Sequence, residues 1–172
     1  AGFGNNGSGN YTGALSGSFN IASGDTATIS GGASNPASAY TSFVGGGGSN
    51  ISCGIASVVA GGKTNVASGP CSTISGGECN TATVGYAGAL SGKFNDATGS
   101  YSIVGGGYDN TSSGNFSFTG GGYANSASGL YSTASGGYRN YSRGNDSTIG
   151  GGTCNYICSP TAATCVAGAT IA

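Results

Sequence analysis

Aliphatic and small residues recur along the chain at a fixed spacing of fifteen residues. Ile29, Val44, Val59, Ile74, Val104 and Ile149 mark one column, relaxed to Ala14, Ala89, Ala134 and Thr119. Asn stands at 5, 20, 35, 50, 65, 80, 95, 110, 125, 140 and 155, and Gly holds a parallel column from Gly2 to Gly152. With that Asn as position 9 of the repeat, the Gly column is position 6 and the aliphatic column position 3. Position 11 is mostly Ala and position 13 mostly Gly. The consensus S-x-[VI]-x-G-G-x-x-N-x-A-S-G-x-Y is clear in SIVGGGYDNTSSGNF (102–116) and SFTGGGYANSASGLY (117–131).

A short, unbroken period of this kind predicts a solenoid, whose units are too small to fold alone. Helical repeats need longer units and fewer glycines. Fifteen residues suit two short strands, at positions 1–5 and 10–13, with GGxxN and the Gly-x-Tyr segment as bends. Alternation then points odd positions inward: Ser or Ala at 1, Val or Ile at 3, Ala or Ser at 11, Gly at 13. The expected fold is all-β, a parallel β-solenoid (narrow β-roll) of about eleven 15-residue coils over residues 1–161, with a degenerate C-terminal coil at 162–172. The expected turn columns are Gly17, Gly32, Gly47, Gly62, Gly77, Gly92, Gly107, Gly122, Gly137 and Gly152, and Asn20, Asn35, Asn50, Asn65, Asn80, Asn95, Asn110, Asn125, Asn140 and Asn155. Each Asn is expected either to take a left-handed backbone at the bend or to bond its amide to the Asn one coil along. Pro36 and Pro70, at positions 10 and 14, fall where a strand begins or the chain bends, so neither must donate a central ladder bond. At about 4.8 Å per coil the stack is a rod on the order of 50 Å long.

The core of such a roll is thin. Fixing fifteen backbones costs on the order of 15 to 30 kcal/mol, while one buried Val or Ile contributes roughly 2 to 3. Ladder hydrogen bonds and close packing must offset the rest, with help from disulfides, from other copies of the chain, or from both. Outward position 2 carries Thr28, Phe43, Val58, Thr73, Ile103, Phe118, Thr133 and Thr148. Phe43, Val58, Ile103 and Phe118 are the expected association face.

Composition narrows the chemistry. Of 172 residues, 38 are Gly and only 5% are charged; the net charge is −1, and His, Trp and Met are absent. No field gathers phosphates, so nucleic acid is not an expected partner. Acid–base catalysis, transition-metal sites and membrane spans lose their usual residues, so no enzyme activity, no cofactor, no metal and no membrane insertion are expected. The five acids occupy five different repeat positions, which forbids a stacked calcium site. GGGG at 45–48 lacks the Lys-Ser/Thr and helix of a phosphate loop and reads as a solenoid bend. A Met-free chain that opens on Ala1 predicts removal of an upstream segment, and a cleaved secretory signal fits.

Six Cys in a chain of low charge favour an oxidising compartment. Cys53 and Cys71 lie near one edge and are the expected intrachain pair, and Cys165 is placed to meet Cys158 or Cys154. Cys79 and Cys154 share position 8 but stand about 24 Å apart, beyond a disulfide's reach. A leftover thiol is then a bridge between subunits. Sequons begin at Asn6, Asn10, Asn50, Asn110, Asn115, Asn140 and Asn145. Asn10, Asn115 and Asn145 sit on an exposed bend and are the glycosylation candidates, although a chain this rich in Asn and Ser also generates sequons by composition.

Aromatic residues form two columns, Tyr86, Tyr101, Phe116 and Tyr131 at position 15 and Tyr108, Tyr123 and Tyr138 at position 7. They read either as a ladder for sugar or surface contact or as rings that shield the bends and stiffen the rod. Thr ranks would suit an ice-binding solenoid, the rival function, but position 2 alternates Thr with Phe, Val, Ile and Gly.

Strings such as YSIVGGGYDNTSSGNFS and YSTASGGYRNYSRGN resemble the repeats in the heads of trimeric autotransporter adhesins and in related phage and virus tail-fibre β-rolls. The resemblance covers almost the whole chain. It implies narrow left-handed parallel rolls that associate in threes and carry adhesive surfaces away from a cell or virion. The expectation is therefore a non-enzymatic extracellular structural or adhesive solenoid, at a cell or virion surface, that self-associates into a fibre, spike or filament. Its partners are other copies, as a trimer or an end-to-end filament, together with glycans or a surface. The register opens at Gly2 and closes on the apolar ATCVAGATIA without a capping helix, and open solenoid ends invite stacking.

Overall fold

The computed structural model describes residues 2–158 and 170–171. The protein is an all-β parallel solenoid, and no helix occurs among the described residues. Two-residue strands make two parallel sheets of eleven strands each. The first sheet uses positions 10 and 11, from Asn6–Gly7 to Tyr156–Ile157. The second uses positions 2 and 3, from Gly13–Ala14 to Thr148–Ile149, and closes on Thr170–Ile171. Pairing is in register with the repeat: Ile51 faces Val66 and Phe43 faces Val58. Of the expected C-terminal coil, only 170–171 is described, and it pairs with Thr148–Ile149.

The strands are shorter than the pattern predicts, and a third hydrogen-bonded side replaces much of one expected bend. Single parallel bridges run down position 7, from Phe3–Ser18 to Tyr138–Thr153. Each coil thus has three laddered sides. Sequence periodicity missed the third because position 7 mixes strand-favouring Phe, Tyr and Thr with Ser, Ala, Gly, Lys and Glu, which leaves no consistent strand signal in the column.

Two corners per coil hold a residue in the left-handed region, at positions 8 and 15 rather than at the Asn of position 9. Cys79 (φ 55°), Phe94 (φ 56°), Tyr86 (φ 61°) and Tyr101 (φ 57°) are examples. Such a backbone is unfavourable for residues with a Cβ. It is held because it reverses the direction of the peptide. Strand N–H groups donate to the next coil, as from Val66 to the carbonyl of Asn80 (2.9 Å), whereas Cys79 donates back to Lys63 (2.9 Å) and Tyr86 back to Pro70 (2.9 Å). Each coil is therefore tied in both directions.

Gly at position 6 answers a different demand. Gly62 has φ +90°, and a Cβ there would lie 2.2 Å from the carbonyl oxygen of Gly77. At position 13 the need is space alone, since a Cβ on Gly69 would lie 2.0 Å from the oxygen of Val84.

The interior follows the alternation. Ile29, Val44, Val59, Ile74, Val104 and Ile149 are fully buried at position 3, facing the small residues Ala22, Ala37, Ala67, Ala82, Ala97 and Ala127 at position 11. Buried serines come in matched sets. Wherever position 11 is Ser, the Ser five residues on meets it: Ser52–Ser57 at 2.7 Å, Ser112–Ser117 at 2.7 Å and Ser142–Ser147 at 2.6 Å. Each hydroxyl satisfies the other inside the core, as burial requires.

Asn20, Asn35, Asn50, Asn65, Asn80, Asn95, Asn110, Asn125 and Asn140 are all fully buried. The Oδ1 of Asn80 accepts the backbone N–H of Asn95 (2.9 Å), while its Nδ2 donates to the carbonyls of Gly76 in its own coil (3.0 Å) and Gly92 in the next (2.9 Å). Asn offers one acceptor and two donors on a short arm, which matches those three groups. Asp would lack the donors. This amide ladder, rather than a left-handed bend, accounts for the unbroken column.

Candidate interaction surfaces

Outward side chains of the second sheet form a mixed Thr and apolar face. Ile103 and Phe118 are 39% and 40% exposed, and Phe43 and Val58 are half-buried on the same column. Two coils have Gly at position 2, and in both of them position 4 is Leu: Gly13 with Leu15, Gly88 with Leu90. In each, the Leu Cδ2 covers the space a Cβ would occupy, 3.4 Å away at Gly13 and 3.7 Å at Gly88. Leu15 and Leu90 thereby cover the face in the two coils whose position 2 has no side chain. The exchange is visible in the sequence as Gly-x-Leu, but its meaning needs the outward direction of both positions.

The two aromatic columns are stacked. Ring centroids lie 4.7 Å apart for Tyr86–Tyr101, 5.0 Å for Tyr101–Phe116 and 5.1 Å for Phe116–Tyr131. Tyr108–Tyr123 and Tyr123–Tyr138 follow at 5.3 and 5.2 Å. Stacked rings cover one another's faces and leave edges and hydroxyls to solvent. Phe94 closes one end of the second stack edge-on at 5.6 Å, and the Arg139 guanidinium lies over Tyr138 at 5.2 Å.

The same side carries most of the charge. Lys63, Glu78 and Lys93 are consecutive in the position 7 ladder, and Lys93 Nζ meets Glu78 Oε2 at 3.1 Å. Its hydrogen bond to Glu78, with the carboxylate's attraction, raises the Lys93 pKa above its ordinary value. Arg143 lies over both Tyr141 (5.3 Å) and Tyr156 (4.9 Å) and donates to the Tyr156 hydroxyl at 2.6 Å.

The expected Cys53–Cys71 disulfide does not form: both thiols are free and exposed. Cys53 follows a strand of the first sheet, whereas Cys71 lies beyond the Gly69–Pro70 corner in the left-handed region (φ 56°). A disulfide needs close, converging Cβ atoms, and the two cysteines stand on opposite sides of that corner in successive coils. Cys79 and Cys154 are also free, Cys158 is half-buried, and Cys165 lies outside the described residues.

Burial divides the sequons. Asn50, Asn110 and Asn140 have their amides inside the ladder. Asn10, Asn115 and Asn145 are exposed at position 14. There Asn115 Oδ1 accepts the Ser100 N–H (3.1 Å) and Asn145 Oδ1 accepts that of Leu130 (3.1 Å). Asp25 does the same for Asn10 at 2.9 Å.

Among the described residues, no group of three or more His, Cys, Asp or Glu is arranged to hold a metal, and no helix is long and apolar enough to cross a membrane. No protein-family model matches the chain, and no curated protein matches it.

Proposed function

We propose that this protein is a non-enzymatic, extracellular structural or adhesive rod that joins copies of itself side by side through the outer face of its second sheet. The observation that carries the reading is the Gly-x-Leu exchange at Gly13–Leu15 and Gly88–Leu90, which keeps apolar cover on that face. An exposed Leu beside each Gly adds apolar area that a second copy can bury. The thin core supports the same reading, because burying Leu15, Leu90, Ile103 and Phe118 against another copy supplies apolar area that one coil lacks. The resemblance of the repeats to adhesin heads and tail-fibre rolls supports a role at a cell or virion surface. Many weak contacts along one rod, multiplied by association, give adhesion without a deep pocket.

Ice binding is the rival reading. It asks for Thr on successive coils of one face, and in position 2 only Thr133 and Thr148, with Thr170 paired to the latter, are consecutive. Thermal hysteresis in solutions of the protein would favour it.

Sedimentation velocity over a range of concentrations tests self-association. The wild type is expected to run as an oligomer, and the Ile103→Asp/Phe118→Asp double variant as a monomer with an unchanged far-UV circular dichroism spectrum. A wild type that stays monomeric throughout overturns the reading.

A further inference from the structure

The first four coils differ from the rest: before Lys63 the only charged side chain is Asp25. Asp25 lines a surface groove of about 550 Å³ with Asn10, Tyr11, Thr26 and Tyr40. The groove lies along the corner made by positions 14 and 15 of three successive coils. Tyr11 belongs to the first, Asp25 and Thr26 to the second, and Tyr40 to the third.

Spacing distinguishes this corner from the aromatic stack farther along. Tyr86 and Tyr101 are one coil apart and close on each other at 4.7 Å, so a ligand finds no free face between them. Tyr11 and Tyr40 are two coils apart, about 9 to 10 Å along the axis, with the smaller Asp25 and Thr26 between them. Tyr11 is 92% and Tyr40 58% exposed, so both rings keep a face open to a ligand. That spacing leaves room for a single six-membered saccharide ring over Asp25 and Thr26, beside the two tyrosines.

Asp25 gives the slot its polar floor. Its Oδ1 accepts the Asn10 backbone N–H at 2.9 Å, which fixes the carboxylate and leaves Oδ2 for a ligand donor. A fixed carboxylate beside an amide and a hydroxyl suits neighbouring hydroxyl groups, and exposed aromatic faces suit the C–H face of the same ring. With no basic residue before Lys63, an anionic ligand finds no counter-charge here.

We propose that the corner groove bounded by Tyr11, Asp25 and Tyr40 binds one pyranose ring of a neutral saccharide. This deepens the adhesive part of the function proposed above and rests on it. The tyrosine faces hold the apolar side of the sugar, and Asp25 with Asn10 holds adjacent hydroxyls. The groove is shallow and open, and its few convergent polar groups suit one small ligand unit held at the surface.

The test is a titration of isotope-labelled full-length protein, made in a bacterial host so that Asn10 carries no glycan. Methyl α-mannopyranoside, methyl β-galactopyranoside and methyl β-glucopyranoside are the probes, read by amide chemical shifts. At least one is expected to give saturable shifts confined to residues 10–11, 25–26 and 40–41. Asp25→Asn keeps the acceptor for Asn10 and Tyr40→Ala removes an exposed ring, so both fold; each is expected to weaken binding about tenfold. Absence of saturable shifts with all three sugars, or equal binding by both variants, overturns the proposal. Sedimentation of the same samples keeps the two readings apart, since a rod that assembles without binding sugar loses the groove alone.

Discussion

The Oδ1 of Asn50 accepts both the backbone N–H of Asn65 at 3.0 Å and its side-chain Nδ2 at 3.1 Å, in the dry interior of the rod. The same relation recurs from Asn110 to Asn125 and from Asn125 to Asn140. Every coil is thus stapled to the next by a buried amide in addition to its ladders. Satisfied polar chains of this kind are strong when complete and costly when broken.

Asn80→Ala removes donors to Gly76 and Gly92 and leaves the Asn95 N–H without its acceptor. The expected loss is about 2 to 5 kcal/mol in chemical denaturation. Asn80→Asp is expected to lose more near neutral pH, because it buries a carboxylate against two carbonyls. Asn155→Ala, at a half-buried position, is expected to lose less.

Adjacent glycines separate conformation from composition. Gly62→Ala forces a Cβ into the Gly77 carbonyl at φ +90° and is expected to destabilise by several kcal/mol, of order 3 or more. A Cβ on Gly61 meets nothing within 4 Å. Gly61→Ala is expected to be neutral or to stabilise by up to about 1 kcal/mol through the unfolded chain. Paired denaturation curves decide it.

Spacing alone made the period, the aliphatic column and the inward positions 1, 3, 11 and 13 readable. The Asn column was readable as a column, but not its job, since a bend residue and a buried staple leave the same mark in a sequence. Left-handed corners at positions 8 and 15 left no mark at all. Tyr86, Cys71, Asp109 and Arg139 all occupy them, because the two-way hydrogen bonding imposes the backbone whatever the side chain. The Tyr11–Tyr40 groove was hidden for another reason: its residues belong to two columns and three coils, so no single-column reading joins them.

Buried hydroxyls give a prediction of opposite signs. Ser72 Oγ is buried without a partner, so Ser72→Ala is expected to stabilise by about 1 kcal/mol. Ser57 accepts the Gly54 N–H at 3.1 Å and meets Ser52 at 2.7 Å, so Ser57→Ala is expected to cost about 1 to 2 kcal/mol. Adding Ser52→Ala is expected to restore part of that loss, as in the coil that pairs Ala22 with Ala27. Thermal or urea unfolding of the three variants reads both signs.

The Lys93–Glu78 pair sets a pH dependence at the alkaline end. Because Lys93 is raised above 10.5 by Glu78, its contribution is fully present below the unfolded lysine value and is lost as pH rises through the folded one. Glu78→Gln is expected to return Lys93 toward 10.5 in a side-chain NMR titration, and high salt to shrink the difference between the two proteins. The pair is open to solvent, so the midpoint of unfolding near neutral pH is expected to stay nearly unchanged.

Native-state hydrogen exchange at the Asn column tests the central claim most directly, since a rod of stapled coils places each of those N–H groups on the Oδ1 of the coil before. The backbone amides of Asn65, Asn80, Asn95 and Asn110 are expected to be among the slowest in the chain and similar to one another, while those of the half-buried bend residues Gly61 and Gly151 exchange faster. Exchange of the Asn amides as fast as in an unfolded peptide would contradict the account.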